Sequence, residues 1–355
     1  MSTERKLVKT INYTYFIGID ISRNELDFAV MYGSKFLFHK EIKNTLAEIK
    51  AIVLELKQLP KFTMSRSAFC MEQTGIYSNH LKNALKTFKA NIILENALQI
   101  RSSLGVMRGK YDKIDAIRIA QYGYKNRDEL RIWQPRRSLL IELAHLTTLR
   151  ERLIGVKISL TQQLNEDDSF VMKKIVRSSR KLCNSSTRAV AGDVLKVDEA
   201  ILNLINADPH LKRMHDIILS VPCVGTVTAM QIIVTTNEFK DIRDPKKYAC
   251  YAGVAPFRKE SGNAHYKSKV SHLANRRVKA LLHACAINAM RYDVEMKAYF
   301  ERKHLIEGKP KMAVLNAIRN KLVLRIFACL NQDRLYEKPF QNKLQAVAVD
   351  NAVAF

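Results

Sequence analysis

Four carboxylates are placed where they could do chemistry together. Asp20 lies near the end of the β-branched run FIGIDIS, Glu72 closes the apolar run SAFCMEQT up to its last polar residues, and Asp112 and Asp115 stand three apart where a helical pattern begins. In a parallel α/β layer the strand ends converge on one edge of the sheet, and positions i and i+3 of a helix share a face. The four acids are therefore expected at one point. Carboxylates held together raise one another's pKa values, and magnesium or manganese, hard ions that take oxygen ligands, resolves the conflict. Two such ions about 4 Å apart clamp the attacking and leaving oxygens of a phosphoryl transfer. Taken singly, Asp112 or Asp115 is an ordinary acid facing a helix macrodipole, and Asp20 or Glu72 a turn cap. Two strand-end acids together with the helical pair favour the metal.

A second set of residues surrounds Ser261 in APFRKESGNAHYKSKVS, where Arg258, Lys259, His265, Lys267 and Lys269 lie close in sequence and Arg276 and Arg277 follow. A serine hydroxyl is a weak nucleophile at its own pKa and needs a base, a metal or cations to activate it. Clustered cations suit a phosphorus centre gaining negative charge, and Gly262 permits a close backbone approach. On its own, ESG in a polar stretch reads as a turn, and Ser268 and Ser271 are equal candidates by position. Lys110 and Arg118 flank the last two acids as phosphate contacts. Tyr248, Tyr251 and Tyr266, interleaved with lysines, fit either base stacking or a core. His80, His145, His215 and His283 fall in helical segments without partners at metal-ligand spacing.

The elements that must hold these residues are legible. Three short β-rich runs, YFIGIDIS, ELDFAVM and KFLFHKEI, form an antiparallel meander. A helix with Leu46, Ile49, Ile52, Val53 and Leu56 on one face follows, then strand, helix and the strand ANIILEN. Three meander strands and two crossover strands give the order of an α/β ribonuclease H-like domain over 1–134. After Pro135, Leu139, Leu143, Leu146, Leu149, Leu153, Val156, Leu160 and Leu164 recur at coiled-coil spacing, predicting an oligomerisation or hairpin helix in a helical linker over 135–212. The stretch from DDSF to CNSSTR is expected to bend, and a helix around AGDVLKVDEAILNLINADPHLKRM to return. The region 213–340 reads as mostly α-helical with one loop-rich stretch around Ser261, and 341–355 as a tail.

Composition bounds the partners. The chain has 355 residues, enough for about two domains. Its 59 Lys plus Arg against 34 Asp plus Glu give a net charge of +25, spread along the chain, a balance that binds polyanions. No apolar run approaches the ~18 residues that span a bilayer, and MSTERKLVKT lacks the apolar core of a signal peptide, so a cytoplasmic protein with no membrane partner is expected. The six cysteines are far apart with no C-x-x-C, which predicts reduced core thiols. No phosphate-cradling glycine loop is present, so nucleotide hydrolysis is not indicated.

The segments GIDIS, MEQTGIY and GKYDKIDAIRIA resemble the three N-terminal blocks of the DEDD transposases of insertion-sequence family 110, which includes the Piv-type DNA invertases. APFRKESG, with Pro256, Ser261 and Gly262, resembles that family's serine setting, and ILSVPCVGTVTA and IEGKPKMAVLNAIRNKLVLRIF fit its layout. The resemblance covers about residues 14 to 336. It implies a RuvC-like domain with Asp20, Glu72, Asp112 and Asp115 as a metal-binding tetrad, and Ser261 as the nucleophile of a helical domain. It further implies DNA and a bridge RNA as partners, and assembly as dimers or tetramers in which one subunit's acids face another's serine. Two positions depart from the family pattern. Cys223 stands where Gly is common in a helix-hairpin-helix turn, predicting a distorted turn, and Ala274 stands where a Gly-Asn turn is usual. Two other activities fit the same residues: a structure-selective RuvC-like endonuclease that uses water, and a nucleic-acid-binding protein without catalysis.

Overall fold

A computed structural model describes residues 12–73, 75–104, 112–166, 170–261, 264–271 and 273–337, with backbone alone for Leu104, Asp112, 163–166, 258–261 and 264–269. The chain divides into two compact units, Met1–Pro135 and Arg136–Phe355.

The first unit is built on β1 (Tyr15–Ile21), β2 (Glu25–Tyr32) and β3 (Lys35–Lys43), then α1 (Leu46–Leu56), β4 (Ser67–Glu72), α2 (Asn79–Thr87), β5 (Asn91–Glu95), α3 (Ala97–Leu104) and α4 (Asp112–Lys125). The five strands make one mixed sheet in the order β3-β2-β1-β4-β5, antiparallel through the meander and parallel from β1 to β4 to β5. Period-2 alternation sorts the central strand between two cores. Tyr15, Ile17, Ile19 and Ile21 join α1 and α2 on one face, and Phe16 joins α3 and α4 on the other. With apolar residues buried on both faces, each worth ~1.5–3 kcal/mol, the register of β1 is tightly specified.

The second unit begins with α5 (Ser138–Glu166) and α6 (Lys173–Ala207), which pack as an antiparallel pair: Arg150 Nε donates to Asp198 Oδ1 at 2.5 Å, and Leu140 and Leu143 meet Val197, Ile201 and Ile205. Among the described residues the leucine stripe is buried only near this end. Val156 and Ile158 of α5, and Leu182 and Leu195 of α6, are exposed. The expected bend is shorter than the sequence suggests, because CNSSTR continues the helix of α6. That helix ends instead at Asp208, whose side chain accepts from the Leu211 N–H and caps α7 (Pro209–Ser220), with Pro209 at its first position.

There follow α8 (Thr226–Thr236), α9 (Pro245–Tyr251), β6 (Pro256–Ser261), β7 (Ala264–Val270), α10 (Arg276–Tyr292), α11 (Val294–Glu301) and α12 (Lys311–Asn331). One core joins α5 to α10 and α12. The stretch read as loop-rich is an antiparallel β-hairpin, β6–β7, with a register irregularity between Phe257 and Lys259. Its sequence lacks apolar alternation, which is why periodicity missed it, but Gly262-Asn263 is a two-residue hairpin signal.

The turn between α7 and α8 keeps a left-handed residue at the position where glycine is common. Cys223 adopts the left-handed conformation (φ +65°) that glycine would take, while Val221 and Val224 on either side are buried. Ala274 is likewise accommodated. A Cβ on Gly253 (φ +64°) would lie 2.3 Å from the Ala274 Cβ, so the glycine supplies the room from the opposite side. Next to it Asn275 caps α10 by accepting from the Val278 N–H at 3.0 Å, and donates to the Tyr251 hydroxyl at 2.8 Å. Among the described residues no helix is long and apolar enough to cross a membrane. All six cysteines are free, and Cys70, Cys285 and Cys329 are buried.

Candidate functional site

Strand alternation fixes the side on which each acid of the first unit lies. In β1, Phe16 packs in the α4-side core and a Cβ on Gly18 would meet the backbone of α4, so Asp20, two residues on, belongs to that face. In β4, Ala68 and Cys70 pack there, so Glu72 does too. The parallel register pairs Ile19 with Met71, and one step further brings Asp20 level with Glu72.

Above them lies α4, seated by small residues. A Cβ on Gly18 would sit 2.2 Å from the Ala116 carbonyl oxygen and 2.2 Å from the Ala120 nitrogen; one on Gly123 would sit 2.6 Å from Cys70 Sγ. The helix therefore rests directly on β1 and β4. Ala116, Ile119 and Ala120 face the sheet, and Asp115, just before them, is half-buried. The Glu72 carboxyl feels it: burial raises the Glu72 pKa above the usual carboxylate range, Arg101 pulls it back, and the charge of Asp115 pushes it up again. Asp112 begins α4 one turn earlier; its side chain is outside the described set.

The sheet adds acids that the sequence motifs did not single out. The antiparallel registers set Asp27 opposite Asp20 and Glu41 opposite Asp27, and the parallel register pairs Glu72 with Glu95. Glu41, Asp27, Asp20, Glu72 and Glu95 thus form one row across all five strands. Opposite residues in such ladders have Cβ atoms about 5 Å apart, close enough for like charges to repel. Two of these acids have local partners. His39 Nε2 lies 2.6 Å from Asp27 Oδ1, and the Tyr122 hydroxyl donates to Glu95 Oε2 at 3.0 Å. Burial and then Glu95 push the Tyr122 pKa up to about 12. One signal for Asp27 was available in the sequence: pairing of the first two strands across ISRN sets Ile21 against Leu26 and hence Asp20 against Asp27.

Arg118, expected at phosphate, donates instead from Nη1 to Asp115 Oδ1 at 2.7 Å. Among the described residues no three acidic, histidine or cysteine side chains converge closely enough to hold a metal as they stand. The donors nonetheless suit a hard divalent ion, since every acid on this face offers carboxylate oxygen and Glu72 resists ionisation where it sits. Lys110 lies outside the described residues.

In the second unit, Ser261 ends β6 and pairs with Ala264 across the turn. The side chains of Ser261, Arg258, Lys259, Lys267 and Lys269 lie outside the described set. Of the remaining predicted cations, Arg276 is exposed, whereas Arg277 ties α10 to α5 through Glu151 at 2.5 Å and the Thr147 carbonyl at 3.2 Å. Ser271 Oγ accepts from the Leu273 N–H at 3.0 Å, a local turn role. Tyr248 is a core residue, fully buried and 3.1 Å from the Thr235 hydroxyl. His215 is buried, with no hydrogen bond to its Nε2, and burial lowers its pKa.

Comparison with known proteins meets this geometry. A family model for DEDD transposases of the insertion-sequence 110 type, described as a transposase, matches residues 17–167. A second, for the transposase IS116/IS110/IS902 family, matches residues 215–301. The chain is 27% identical over 333 residues to the pilin gene-inverting protein of Moraxella bovis, covering 91% of this chain and 98% of that one. The pilin gene-inverting protein of Moraxella lacunata matches to the same extent. An uncharacterised 43.6 kDa protein of the insertion element IS110 from Streptomyces coelicolor is 27% identical over 153 residues, 43% of this chain and 36% of its own.

Proposed function

We propose, from the premise that this chain belongs to the insertion-sequence 110 family of transposases and is a DNA recombinase, that it joins a metal-binding acidic site to a serine nucleophile. The observation that carries the proposal is that the strand register sets Asp20 level with Glu72 on the sheet face that α4 covers, where Glu72 feels the charge of Asp115. The strand order, an antiparallel meander followed by two parallel crossover strands, supports a RuvC-like reading of the first unit.

Asp20, Glu72, Asp112 and Asp115 would hold the divalent ions, magnesium or manganese. When bound, these supply charge neutralisation at the phosphate oxygens and activation of the attacking oxygen. Asp115, which accepts from Arg118, would offer its carboxylate oxygens to the metal, and Arg118 would orient that carboxylate. Ser261 Oγ forms a bond to phosphorus as the bond from phosphorus to a bridging deoxyribose oxygen breaks. The serine proton leaves and the departing sugar oxygen takes one up. Attack by a deoxyribose hydroxyl of another strand reverses these bonds, frees the serine and rejoins the DNA without loss of phosphodiester linkages. Arg258, Lys259, Lys267, Lys269 and Arg276 would neutralise backbone phosphates around the hairpin.

A bridge RNA that selects target and donor by base pairing agrees with the net charge of +25 spread along the chain, since the protein then needs to hold phosphates and duplex shape rather than read bases. The exposed apolar residues on the outer part of the α5–α6 pair would be covered by self-association into a dimer or tetramer.

The test is covalent capture of DNA. Wild-type protein with magnesium and a nicked target duplex is expected to give a protein–DNA adduct stable to detergent and removed by protease. Ser261→Ala is expected to abolish the adduct while leaving manganese binding intact, and Asp20→Asn to lose both. Strand cutting that survives Ser261→Ala would replace the proposal with a water-using endonuclease, and metal-dependent breakage by neither wild type nor variants would replace it with binding alone.

A further inference from the structure

The second unit contains a buried cation that its fold does not explain. The buried stripe of α12 runs through Val314, Leu315, Ile318, Leu322, Val323, Ile326 and Phe327, and Arg319 lies within it at 5% exposure. A guanidinium taken from water is costly unless an anion accompanies it. Other half-buried arginines of this unit have that company: Arg137 binds Asp208 and Glu238, Arg150 binds Asp198, and Arg325, on the same helix, binds Asp293 and Glu295. Among the described residues no carboxylate pairs with Arg319. Its contacts are neutral: Nη2 donates to His283 Nδ1 at 2.9 Å and Nη1 to Asn316 Oδ1 at 3.3 Å, while Nε has no hydrogen-bond partner. Because Nδ1 accepts, His283 must be neutral on that nitrogen, and both burial and the Arg319 charge hold its pKa down.

This cluster sits at the root of the β6–β7 hairpin. Asn316 Nδ2 donates to the Val254 carbonyl at 2.7 Å, two residues before β6 begins. One turn before His283 on α10, the Lys279 stem lies beside Gly253, and the Ser271 carbonyl, at the hairpin's return, lies beside Gly253 as well. A charge that weakens the folded protein, set beneath the segment that carries Ser261, has the character of a group kept for a ligand.

We infer that Arg319, aligned by His283 and Asn316, is a binding residue for a nucleic-acid backbone phosphate at the root of the hairpin. The planar guanidinium presents paired N–H donors that match a phosphate bidentately, and an anion there supplies the counter-charge that the described residues do not. The inference rests on the reading of this chain as a nucleic-acid enzyme but not on the role of Ser261.

The experiment measures equilibrium binding of a short fluorescein-labelled DNA duplex to full-length protein across a salt series, with Arg319→Met alongside wild type and melting temperatures of both without DNA. A phosphate contact contributes about 0.9 to the slope of log Kobs against log salt. Arg319→Met is expected to lower the slope by that amount and to melt no lower than wild type, since it removes an uncompensated charge at similar volume. An unchanged slope, a lower melting temperature, or failure to fold would each show a structural role and overturn the inference. Ser261→Ala separates the two proposals. Loss of the covalent adduct there, with no slope change in Arg319→Met, ends this inference alone; an adduct that persists, with the slope lowered in Arg319→Met, ends the nucleophile assignment alone.

Discussion

The central sheet of the first unit and the β6–β7 hairpin of the second each carry proposed chemistry on strands, and they are held in different ways. β1 has a core on each face, so a slip of one residue would exchange Ile17 and Ile19 with Phe16 and Gly18 and drive the sheet into α4. Asp20 inherits its side from that packing. The hairpin pairs two strands whose sequence has no apolar face, with Phe257 exposed and the register shifted beside it. A two-stranded ladder is marginal by itself. Its anchor is the root, where Gly253, Ala274, Asn275 and Asn316 knit it to α9, α10 and α12. The acids are thus placed by the fold in advance, whereas the serine is placed by a short lever whose fixed end is one cluster of contacts.

Two glycines test that difference. Gly18→Val puts side-chain atoms against the backbone of α4, which cannot move aside without leaving the sheet. It is expected to destabilise the first unit by ~3 kcal/mol or more in urea unfolding and to abolish magnesium-dependent strand transfer. A variant of near wild-type stability would show that α4 does not need to rest on β1. Gly253→Ala places a Cβ 2.3 Å from that of Ala274 at a left-handed φ. The expected loss is about 2 kcal/mol, confined to the second unit. Manganese binding by the first unit, followed by calorimetry, should be untouched.

At the helix turn, Cys223→Gly removes the side chain from a left-handed residue and should stabilise the second unit by about 1 kcal/mol, seen as a higher melting temperature. No gain would mean that the Cys223 side chain contributes packing of equal worth.

Acid should move the two units in opposite directions. His215 and His283 have folded pKa values below the ordinary 6.5, so the unfolded chain takes up protons first as the pH falls through 6.5, and the second unit loses stability. Glu72 has a folded pKa above the ordinary 4.5, so the folded chain protonates first as the pH falls toward that value, and the first unit gains. Scanning calorimetry at pH 7.5 and about pH 5 should show the transition of the second unit moving down while that of the first holds or moves up. By the same sign, Glu72→Gln should melt slightly higher than wild type without metal and be stabilised less by magnesium. A lower melting temperature in metal-free buffer would contradict the burial of that charge.

Much of the first unit was readable before any coordinates. Short apolar, β-rich runs in FIGIDIS, SAFCMEQT and ANIILEN mark strands buried on both faces, and the helical spacing of Ile49, Ile52, Val53 and Leu56 marks a helix, because each pattern follows from how its element is buried. The strands of the hairpin are not legible in the sequence because their residues repeat at no period, and the end of α6 is set by a cap, Asp208, that outweighs a run of good helix formers.

By itself, then, the sequence determined the elements, the spacing of Asp20, Glu72, Asp112 and Asp115, and the excess of positive charge, for these depend on neighbours along the chain. Only the tertiary structure decided that Glu41 and Glu95 join the acidic row, that Gly18 is the seat of α4, and that Arg319 lies buried with no acid paired to it among the described residues. Register between strands and the counter-charge of a buried group are set by residues distant in sequence, and no local period encodes them.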